Sequence, residues 1–377
     1  MSIMGDINMH YYIISGELSG DLYGSKLIQC LKKHNPKSKF TCWGGRYMDA
    51  VGGNVVVDLD SLSFMGFWEV FKNVLSVFKN LSYAKLHIKE TNPDVLILID
   101  YPAFNLKIAR YAKKLGIPVY WFIAPQLWAW KANRIKSMRK YISKLFVALP
   151  FELDYFNKRG VKTFYFGHPM IDIIKSQKQS YSDSNLGKPL IALLPGSRKQ
   201  EIQKMLPIML GVLPYFSQYR FVIICAPHLK RSFYEDLIMD VNVELKFNKD
   251  ILLSVSAAIV TSGTATLELA IYKIPQVVCY KLDFISFFLA NLFSKVKYIS
   301  LVNILSNKYV VKELIQYNFN VQALVSALTS VLTDANTSRI LEEYEQLINK
   351  IGPSGCFDKI SEIIYADLLG IKQYANK

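Results

Sequence analysis

The chain has 377 residues, of which 51% are hydrophobic and 20% are charged, and this composition excludes a wholly disordered protein. At roughly 150 residues per domain, the length predicts two or three domains with substantial cores. The 45 Lys and Arg residues outnumber the 30 Asp and Glu residues, so the formal net charge is +15. Such an excess indicates an anionic partner, which is nucleic acid, a phosphate-bearing substrate or an anionic membrane surface.

The five cysteines are widely spaced and form no Cys-x-x-Cys pair, which argues against a disulfide framework or a zinc site and favours a reducing compartment. The five histidines are equally scattered, and no His/Glu cluster has metal-ligand spacing. No segment combines the length and the apolar content of a transmembrane helix, and the N-terminus does not resemble a secretory signal. We therefore expect a soluble or peripheral protein without a bound metal.

Short apolar runs alternate with amphipathic segments along the chain, a pattern typical of α/β layers with parallel strands. In the first half, strands are predicted at residues 10–15, 38–43, 95–99, 118–123 and 144–148. Helices are predicted between them at residues 20–33, 106–115 and 132–141. After a polar segment the pattern restarts, with strands at 189–194, 221–225, 257–260 and 276–280 and helices at 199–216 and 263–271.

The polar segment, residues 173–188, has the composition of a linker, so we place the domain boundary at its start. Each half of the chain then forms a doubly wound, Rossmann-like α/β domain, and the first domain spans residues 1–172. Doubly wound domains bind ligands beyond the carboxyl ends of their strands. We therefore expect the functional residues in the turns that follow the predicted strands, with the two domains facing each other across a cleft.

The first such turn has the sequence Ser-Gly-Glu-Leu-Ser-Gly-Asp and occupies residues 15–21. Its glycines permit a tight turn and a close approach of the backbone. Glu17 and Asp21 would repel a pyrophosphate, whereas a carboxylate here can accept a hydrogen bond from a sugar hydroxyl. The alternative is a capped helix start, in which Ser19 and Asp21 serve the free N–H groups.

A second turn, Leu-Pro-Gly-Ser-Arg at residues 194–198, opens the first predicted helix of the second domain. Backbone N–H groups at a helix N-terminus attract phosphate, and an arginine can bind it in bidentate fashion. The candidates to clamp a diphosphate are Pro195, Gly196, Ser197 and Arg198. The alternative is an ordinary strand–turn–helix connection with an exposed arginine.

A third turn, Thr-Ser-Gly-Thr-Ala-Thr-Leu-Glu at residues 261–268, follows another predicted strand of the second domain. Ser262, Gly263 and Thr264 make a second phosphate-type nest at a helix start. Glu268 lies about one turn into that helix, where its carboxylate can bind a ribose diol. A capping box is the alternative, although the spacing from Thr264 to Glu268 is one residue too long for it.

Asp100 directly follows the apolar strand predicted at 95–99. An aspartate at the carboxyl end of a buried strand lies where a doubly wound domain forms its cleft, so Asp100 is the candidate general base. The alternative is an Asx turn or a helix cap before Phe104.

Residues 64–79 form a strongly aromatic segment, in which Phe67, Phe71, Val74 and Phe78 fall on one helical stripe. Other apolar residues lie off the stripe, so we expect one face of this helix to pack on the core and another to stay exposed. An exposed aromatic face beside lysines suits a membrane interface or an acyl-chain groove. The candidate lipid-contacting residues are Phe64, Met65, Phe67, Trp68, Phe71, Leu75 and Phe78. The alternative is burial of this helix by a dimer partner.

The excess positive charge is concentrated in residues 101–151, which contain ten Lys and Arg residues and no Asp or Glu. This stretch lies in the same predicted domain as the aromatic segment. Basic residues beside exposed aromatic side chains suit phospholipid headgroups and phosphorylated lipids better than nucleic acid, for which no recognised binding module is found. The alternative is a set of solvated helix faces.

In their order and co-occurrence, these motifs resemble the lipid-A-disaccharide synthase family. Further matching segments are Ala-Pro-Gln-Leu-Trp-Ala-Trp at 124–130, Leu-Pro-Phe-Glu at 149–152, Gly-His-Pro at 167–169 and Ser-Leu-Val-Asn at 300–303. The resemblance implies a two-domain glycosyltransferase of the GT-B type that acts in lipid A biosynthesis. It also implies transfer of 2,3-diacylglucosamine from UDP-2,3-diacylglucosamine to the 6-hydroxyl of 2,3-diacylglucosamine 1-phosphate. The expected products are UDP and a β-1,6-linked disaccharide 1-phosphate, formed with inversion and without a metal or cofactor.

The resemblance also assigns roles to residues. Asp100 becomes the base, Arg198 and the two phosphate-type turns neutralise UDP, and Glu268 orients the ribose. Glu17 and Asn303 match polar positions expected to line the cleft. The first domain becomes the acceptor and lipid domain, and residues 173–354 become the UDP-sugar domain.

The resemblance further implies that a last helix, about residues 355–377, crosses back to the first domain. From the known family members, we expect a monomer or homodimer. We also expect it to be a peripheral protein on the cytoplasmic face of the inner membrane of a Gram-negative bacterium. The runner-up is another UDP-N-acetylglucosamine-dependent transferase or epimerase of the same fold. The aromatic segment argues against it, because a water-soluble sugar needs no apolar groove.

Overall fold

The computed structural model describes residues 8–59, 74–128, 132–177, 188–239, 241–281 and 297–375. Its contacts divide the chain into two compact units. The first unit comprises Met1–Asp172 together with Gly352–Lys377, and the second comprises Ile173–Ile351. Each unit is an α/β fold built on a parallel sheet, which confirms the predicted fold class.

The sheet of the first unit consists of parallel strands only, within the described residues. The strands are β1 His10–Ser15, β2 Lys39–Gly44, β3 Asn54–Asp58, β4 Val95–Ile99, β5 Val119–Phe122, β6 Lys144–Phe146 and β7 Thr163–Phe164. Their order across the sheet is β3-β2-β1-β4-β5-β6-β7. The order reverses between β1 and β4, so the crevice that binds ligands in such sheets lies at the carboxyl ends of these two strands.

Helices cover both faces of this sheet. They are α1 Leu18–His34, α2 Arg46–Ala50, α3 Val74–Thr91, α4 Pro102–Lys114, α5 Ile135–Tyr141 and α6 Pro150–Asn157. The next helix, α7 Pro169–Gln177, begins in the first unit and ends in the second, which starts at Ile173. Because side chains alternate along a strand, neighbouring residues serve opposite faces. The face that carries Ile14 and Trp121 packs against buried residues of α3, α4, α5 and α6 in one apolar cluster. The other face carries Phe122, whose ring packs edge-on against Tyr23 of α1 at 6.1 Å.

The second unit repeats this arrangement with a second parallel sheet. Its strands are β8 Leu190–Leu194, β9 Arg220–Ile224, β10 Glu244–Lys246, β11 Val255–Thr261, β12 Gln276–Tyr280 and β13 Lys312–Ile315. Its helices are α8 Lys199–Leu210, α9 Arg231–Ile238, α10 Thr264–Ile271, α11 Leu301–Ser306, α12 Val321–Val331 and α13 Asp334–Lys350. The strand order is β10-β9-β8-β11-β12-β13, so the order reverses between β8 and β11.

The last helix, α14 Cys356–Ala375, belongs to the first unit. It packs along α1, where Lys33 pairs with Asp358 at 2.9 Å and the rings of His34 and Tyr365 stack at 5.2 Å. It also contacts the sheet, where Tyr120 donates a hydrogen bond to Asp367 at 2.7 Å. Since α14 adds to the layer that α1 forms, the segment from Gly352 onward completes one face of the first unit.

The strands that sequence reasoning missed are β3, β7, β10 and β13, and each of them lies at an edge of its sheet. Two helices also differ from expectation. The segment 173–188 begins as part of α7 instead of as a linker, and residues 178–187 lie outside the described residues. The helix predicted at 199–216 ends at Leu210 and is followed by a short 3-10 helix, Leu213–Tyr215.

Candidate active site

The candidate residues of the first unit lie where parallel strands end at one edge of the sheet. Glu17 follows β1, and Asp100 follows β4, the two strands between which the strand order reverses. Glu17 is half-buried at the N-cap position of α1, and its side chain does not cap that helix. The two carboxylates therefore belong to neighbouring turns at the crevice where doubly wound domains bind ligands.

Asp100 has an unusual backbone conformation. Its φ angle is 48°, and that of Tyr101 is 50°, so two consecutive side-chain-bearing residues are left-handed. Each such residue costs about 1–3 kcal/mol, and such strain persists only where the surroundings enforce it. Here the buried Asn105 amide donates to the Asp100 carbonyl at 2.7 Å. The Asp100 N–H donates to the Phe122 carbonyl at 3.3 Å.

Tyr101 adds a second restraint on this turn. Its ring lies against Gly16 of the neighbouring turn so closely that a Cβ atom on Gly16 would be 2.4 Å from Tyr101 Cγ. On its other side, the ring stacks on Phe104 at 5.0 Å. Tyr101, not Asp100, occupies the N-cap position of α4, which starts at Pro102. Asp100 is therefore not the N-cap residue of α4, and its strained conformation is consistent with a functional role.

Asp21 has a structural role that the sequence did not reveal. Ser19 and Asp21 both lie inside α1, so the alternative that they cap its N-terminus is wrong. The Asp21 carboxylate is fully buried. It accepts hydrogen bonds from the backbone N–H groups of Gly45 at 2.8 Å, Tyr47 at 3.0 Å and Met48 at 3.1 Å. It therefore fixes the turn between β2 and α2 beside the crevice.

Glu152 is a buried carboxyl that sequence reasoning did not select. It lies in the first turn of α6, after β6, and is only 2% exposed. Burial raises the pKa of Glu152 to about 7, and the negative charge of Asp100 acts in the same direction. The sequence did offer a signal that could have pointed to Glu152. This glutamate ends the family-matching segment Leu-Pro-Phe-Glu, which comes soon after a buried strand.

The Pro-Gly-Ser-Arg turn of the second unit lies between β8 and α8, as predicted. Pro195 is buried, and Gly196 has a φ of 122°, a conformation that favours glycine. Ser197 and Arg198 are exposed. Arg198 also pairs with Glu201 at 3.4 Å, so this turn contains a carboxylate as well as a cation.

The Ser-Gly-Thr turn lies between β11 and α10, next to the Pro-Gly-Ser-Arg turn because β8 and β11 pair directly. Gly263 and Thr264 are exposed at the N-terminus of α10. Ser262 Oγ donates to the Ile299 carbonyl at 2.8 Å, which ties the turn to the chain before α11. Two helix N-termini therefore meet at this edge of the sheet, an arrangement that attracts anions.

Glu268 is buried in α10 and pairs with Lys249, whose Nζ atom is 2.5 Å from Glu268 Oε2. The Glu268 side chain is 6% exposed, whereas that of Lys249 is 47% exposed. Lys249 follows β10 in sequence and was not predicted as a site residue. The pair provides a carboxylate with its own counter-cation beside the two turns that bear helix N-termini.

Asn303 does not have the role expected of it. Its side chain is fully buried. The amide nitrogen donates to the Val311 carbonyl at 2.9 Å and to Glu313 at 2.8 Å. The amide oxygen accepts from Val310 N–H at 2.8 Å and Val311 N–H at 3.0 Å. Both donors and both lone pairs are thus used inside the unit, so the prediction that this side chain contacts UDP is wrong.

The aromatic segment is described only from Val74, the first residue of α3. Phe64, Met65, Phe67, Trp68 and Phe71 lie outside the described residues, as does the side chain of Leu75. In α3, Ala84 and Ile88 are buried in the core, whereas Phe78 is 55% exposed and Leu86 is 56% exposed. The described part of this helix therefore has one buried and one exposed apolar face, whereas most of the segment 64–79, for which these two faces were predicted, lies outside the described residues.

One cation lies against the exposed face of α3. Lys107 of α4 lies over the Phe78 ring, with its Nζ atom 5.5 Å from the ring centroid. The exposed cations of α4 and α5, which we call the basic surface, are Lys107, Arg110, Lys113, Lys114, Lys136, Arg139 and Lys140. Lys144 does not belong to it, because its ammonium pairs with Asp367 of α14. The acid-free stretch of the sequence is therefore largely, but not wholly, an exposed cationic surface.

Two cavities lie elsewhere in the second unit. One of about 350 Å³ is lined by Lys188, Arg220 and Glu244, at the amino ends of the strands. The other, of about 830 Å³, is bounded by β13, α12 and α13. Within the described residues, no group of three or more His, Cys, Asp or Glu side chains could hold a metal ion. No helix in the described ranges is long and apolar enough to cross a membrane.

Comparisons of the sequence with known proteins point to one family. The family model described as lipid-A-disaccharide synthetase matches residues 11–356. Lipid-A-disaccharide synthase 1 of Legionella pneumophila strain Paris is 33% identical over 371 residues, which cover 94% of this chain and 97% of that protein.

Solved structures with low sequence identity share the fold. The UDP-GlcNAc 2-epimerase from Neisseria meningitidis bound to UDP-GlcNAc has a TM-score of 0.60 at 16% identity, with 96% of this chain and 100% of that chain covered. The calicheamicin glycosyltransferase CalG4 has a TM-score of 0.60 at 15% identity, with 97% and 99% covered. These two proteins, an epimerase and a glycosyltransferase, share only the fold with this chain. The family match spans nearly the whole chain, so it decides between the two activities. This protein belongs to the lipid-A-disaccharide synthase family and is a glycosyltransferase with the two-domain GT-B fold.

Proposed function

We propose that this chain transfers 2,3-diacylglucosamine from UDP-2,3-diacylglucosamine to the 6-hydroxyl of 2,3-diacylglucosamine 1-phosphate. The products are UDP and a β-1,6-linked disaccharide 1-phosphate. The observation that carries the proposal is the strained Asp100 at the carboxyl end of β4, at the crevice of the first sheet. A carboxylate held in this way suits a base that must meet an acceptor hydroxyl in one fixed geometry.

The reaction is a single displacement. The acceptor 6-oxygen attacks the anomeric carbon of the donor as the bond from that carbon to the UDP oxygen breaks, which inverts the configuration. Asp100 takes the proton of the 6-hydroxyl, and UDP leaves with the bonding electron pair. Glu17, in the neighbouring turn, accepts a hydrogen bond from a sugar hydroxyl and orients it. The residues of the first unit thus act on the acceptor.

The second unit binds the UDP moiety. Arg198 and the backbone of Pro195, Gly196 and Ser197 contact the diphosphate at the N-terminus of α8, and Ser262, Gly263 and Thr264 contact it at the N-terminus of α10. Each well-placed donor to the leaving group lowers the barrier by about 3 kcal/mol. Glu268 binds the ribose hydroxyls, with Lys249 as its counter-cation. The negative charge of the leaving UDP is thereby neutralised by protein groups, without a metal or cofactor.

The exposed face of α3 and the basic surface dock on an anionic membrane. Phe78 and Leu86 offer apolar contact, and the lysines and arginines beside them attract phospholipid headgroups. The candidate lipid-contacting residues Phe64, Met65, Phe67, Trp68, Phe71 and Leu75 lie outside the described part of the chain or have no described side chain, and their contact with the acyl chains of the substrates is proposed from the sequence alone. We propose that the protein works in this way, as a monomer or homodimer, at the cytoplasmic face of the inner membrane.

The decisive experiment is mass analysis of products from the two acylated substrates, with wild type, Asp100→Asn and Asp154→Asn compared. Asp154 is exposed on α6 and serves as the matched control. We expect the disaccharide 1-phosphate from wild type and the control, and a loss of at least about 1,000-fold in turnover for Asp100→Asn with UDP binding retained. Full activity of Asp100→Asn would remove Asp100 as the base. Conversion of UDP-N-acetylglucosamine alone, without the disaccharide product, would favour an epimerase.

A further inference from the structure

Glu313 is a half-buried carboxylate in β13, an edge strand of the second sheet, and the reaction described above gives it no role. Its oxygens accept hydrogen bonds from one short segment at the start of α11. The Ile299 N–H donates to Oε2 at 3.1 Å, and the Ser300 N–H and Oγ donate to Oε1 at 2.9 and 2.7 Å. The Asn303 amide donates to Oε1 at 2.8 Å. Glu313 therefore fixes the chain at residues 299–303.

The same segment is tied to the turn that follows β11. Ser262 Oγ donates to the Ile299 carbonyl at 2.8 Å. The Leu301 N–H donates to Thr266 Oγ1 at 3.3 Å, and Thr266 Oγ1 donates to the Gly263 carbonyl at 2.8 Å. Two separate links thus connect the segment with two consecutive residues of the turn, Ser262 and Gly263.

The turn leaves open space where a ligand would approach it. Gly263 has an extended backbone with a φ of 161°, and a Cβ atom placed on it would meet no other described residue within 4 Å. Neither the backbone conformation nor the packing of the described residues therefore requires a glycine at this position. A glycine does allow an anion to come close to the N–H groups at the N-terminus of α10.

We propose that Glu313 is a positioning residue for diphosphate binding, because it holds the segment that fixes the Ser-Gly-Thr turn at residues 262–264. This inference rests on the proposed role of that turn in binding the diphosphate of UDP. Donors that are already oriented need no reorganisation when the charge of the leaving group develops. The matching segment Ser-Leu-Val-Asn at 300–303 transmits this restraint to the turn and does not itself contact UDP.

Electrostatic repulsion alone predicts the opposite effect. A carboxylate near the diphosphate repels it, so loss of the Glu313 charge would strengthen UDP binding if charge were all that mattered. If Glu313 orients the turn, its replacement should weaken UDP binding, even when the replacement keeps the charge. The sign of the change in affinity therefore separates the two roles.

The test is calorimetric titration of the full chain with UDP, and with uridine in competition with UDP. The variants are Glu313→Asp, which keeps the charge but withdraws the carboxylate by one methylene group, and Glu313→Gln, which turns an NH2 group toward N–H donors. The matched control is Glu345→Gln. Glu345 is exposed on α13 in the same unit and pairs at the surface with Lys273, so this change removes one charge without affecting residues 299–303.

We expect the Kd for UDP to rise by about tenfold in both Glu313 variants and to stay unchanged in Glu345→Gln, because only the former displace the phosphate-binding donors. Uridine has no phosphate, so its Kd should stay within about twofold of the wild-type value. A Kd for UDP that is unchanged or lower in both Glu313 variants would overturn the inference. An equal rise for UDP and uridine would also overturn it, since a general loss of structure weakens both ligands alike.

A further variant decides the question if neither Glu313 variant folds. Thr266→Val removes the hydroxyl that connects Leu301 with Gly263 and keeps the shape of this buried side chain. We expect the same selective loss of UDP binding, by about threefold, because the link from Ser262 to Ile299 remains. A Kd for UDP equal to that of wild type would refute the inference.

The two proposals fail in different ways. If wild type does not bind UDP, the proposed function is wrong whatever the variants show. If wild type binds UDP and forms the disaccharide, but the Glu313 variants bind UDP as wild type does, the function stands and the role of Glu313 is structural only.

Discussion

Replacement of Asp21 by alanine should strongly destabilise the first unit. Asp21 is fully buried, and its carboxylate accepts three backbone hydrogen bonds, at 2.8, 3.0 and 3.1 Å, from the turn between β2 and α2. A hydrogen bond to a charged group contributes about 1.5–3 kcal/mol. Three that share one carboxylate are not additive, so we expect a loss of about 4 kcal/mol in the free energy of unfolding.

Asp21→Asn should have a smaller effect. The asparagine retains one acceptor oxygen for Gly45 and Met48, but it turns an NH2 group toward the N–H of Tyr47. Two hydrogen-bond donors then face each other, and we expect the free energy of unfolding to fall by about 2 kcal/mol. The control is Asp49→Ala, since Asp49 is exposed on α2.

Urea denaturation followed by tryptophan fluorescence measures this effect in the correct unit. All five tryptophans, Trp43, Trp68, Trp121, Trp128 and Trp130, belong to the first unit. With a urea m value of about 2 kcal/mol/M, the loss for Asp21→Ala lowers the transition midpoint by about 2 M. A midpoint that falls no further than that of Asp49→Ala would refute the reasoning, because buried N–H groups left without acceptors must cost free energy.

Two further predictions concern ligand and membrane binding. Lys249→Met should raise the Kd for UDP by about tenfold, measured by calorimetry, because Glu268 loses its counter-cation, whereas Lys273→Met, which breaks an exposed ion pair with Glu345, should leave it unchanged. An equal Kd in both variants would contradict a role for the Lys249–Glu268 pair in binding. Anionic vesicles should bind the protein at low salt, and Phe78→Ser should weaken the part of the binding that high salt does not remove. No binding at low salt would disprove this explanation of the +15 charge.

The central strands were predictable because nearly all of their residues are buried and therefore apolar. β1, β4, β8 and β11 are short apolar runs covered by helices on both faces, so their length, their apolar content and the turn residues beside them identify them. The four missed strands are the outermost ones of the two sheets. An edge strand has one unpaired side and more solvent contact, as in β3, where no residue is fully buried. Its residues are therefore less buried and its apolar run, where there is one, is short, as in the three valines of β3.

The site was predictable where a turn itself carries the chemistry. The turns after β1, β4, β8 and β11 were identified because a glycine or an acidic residue lies one or two positions after a buried strand. Glu152 and Lys249 were missed because their importance arises from contacts with Trp128 and Glu268, which are distant in sequence. Asn303 shows the opposite error, since a polar residue in a matching segment is fully used by internal hydrogen bonds.

The position of α14 makes the second unit an insertion within the first. The sheet of the first unit ends with β7 at Phe164, but α14, which covers one of its faces, follows the whole second unit in the chain. During synthesis, the rings of Phe122 and Tyr23 therefore lack the ring of Phe357 until all of the second unit has been translated. Translation of the first unit thus starts before that of the second unit and ends after it. The inserted second unit is the one whose residues are contiguous in sequence.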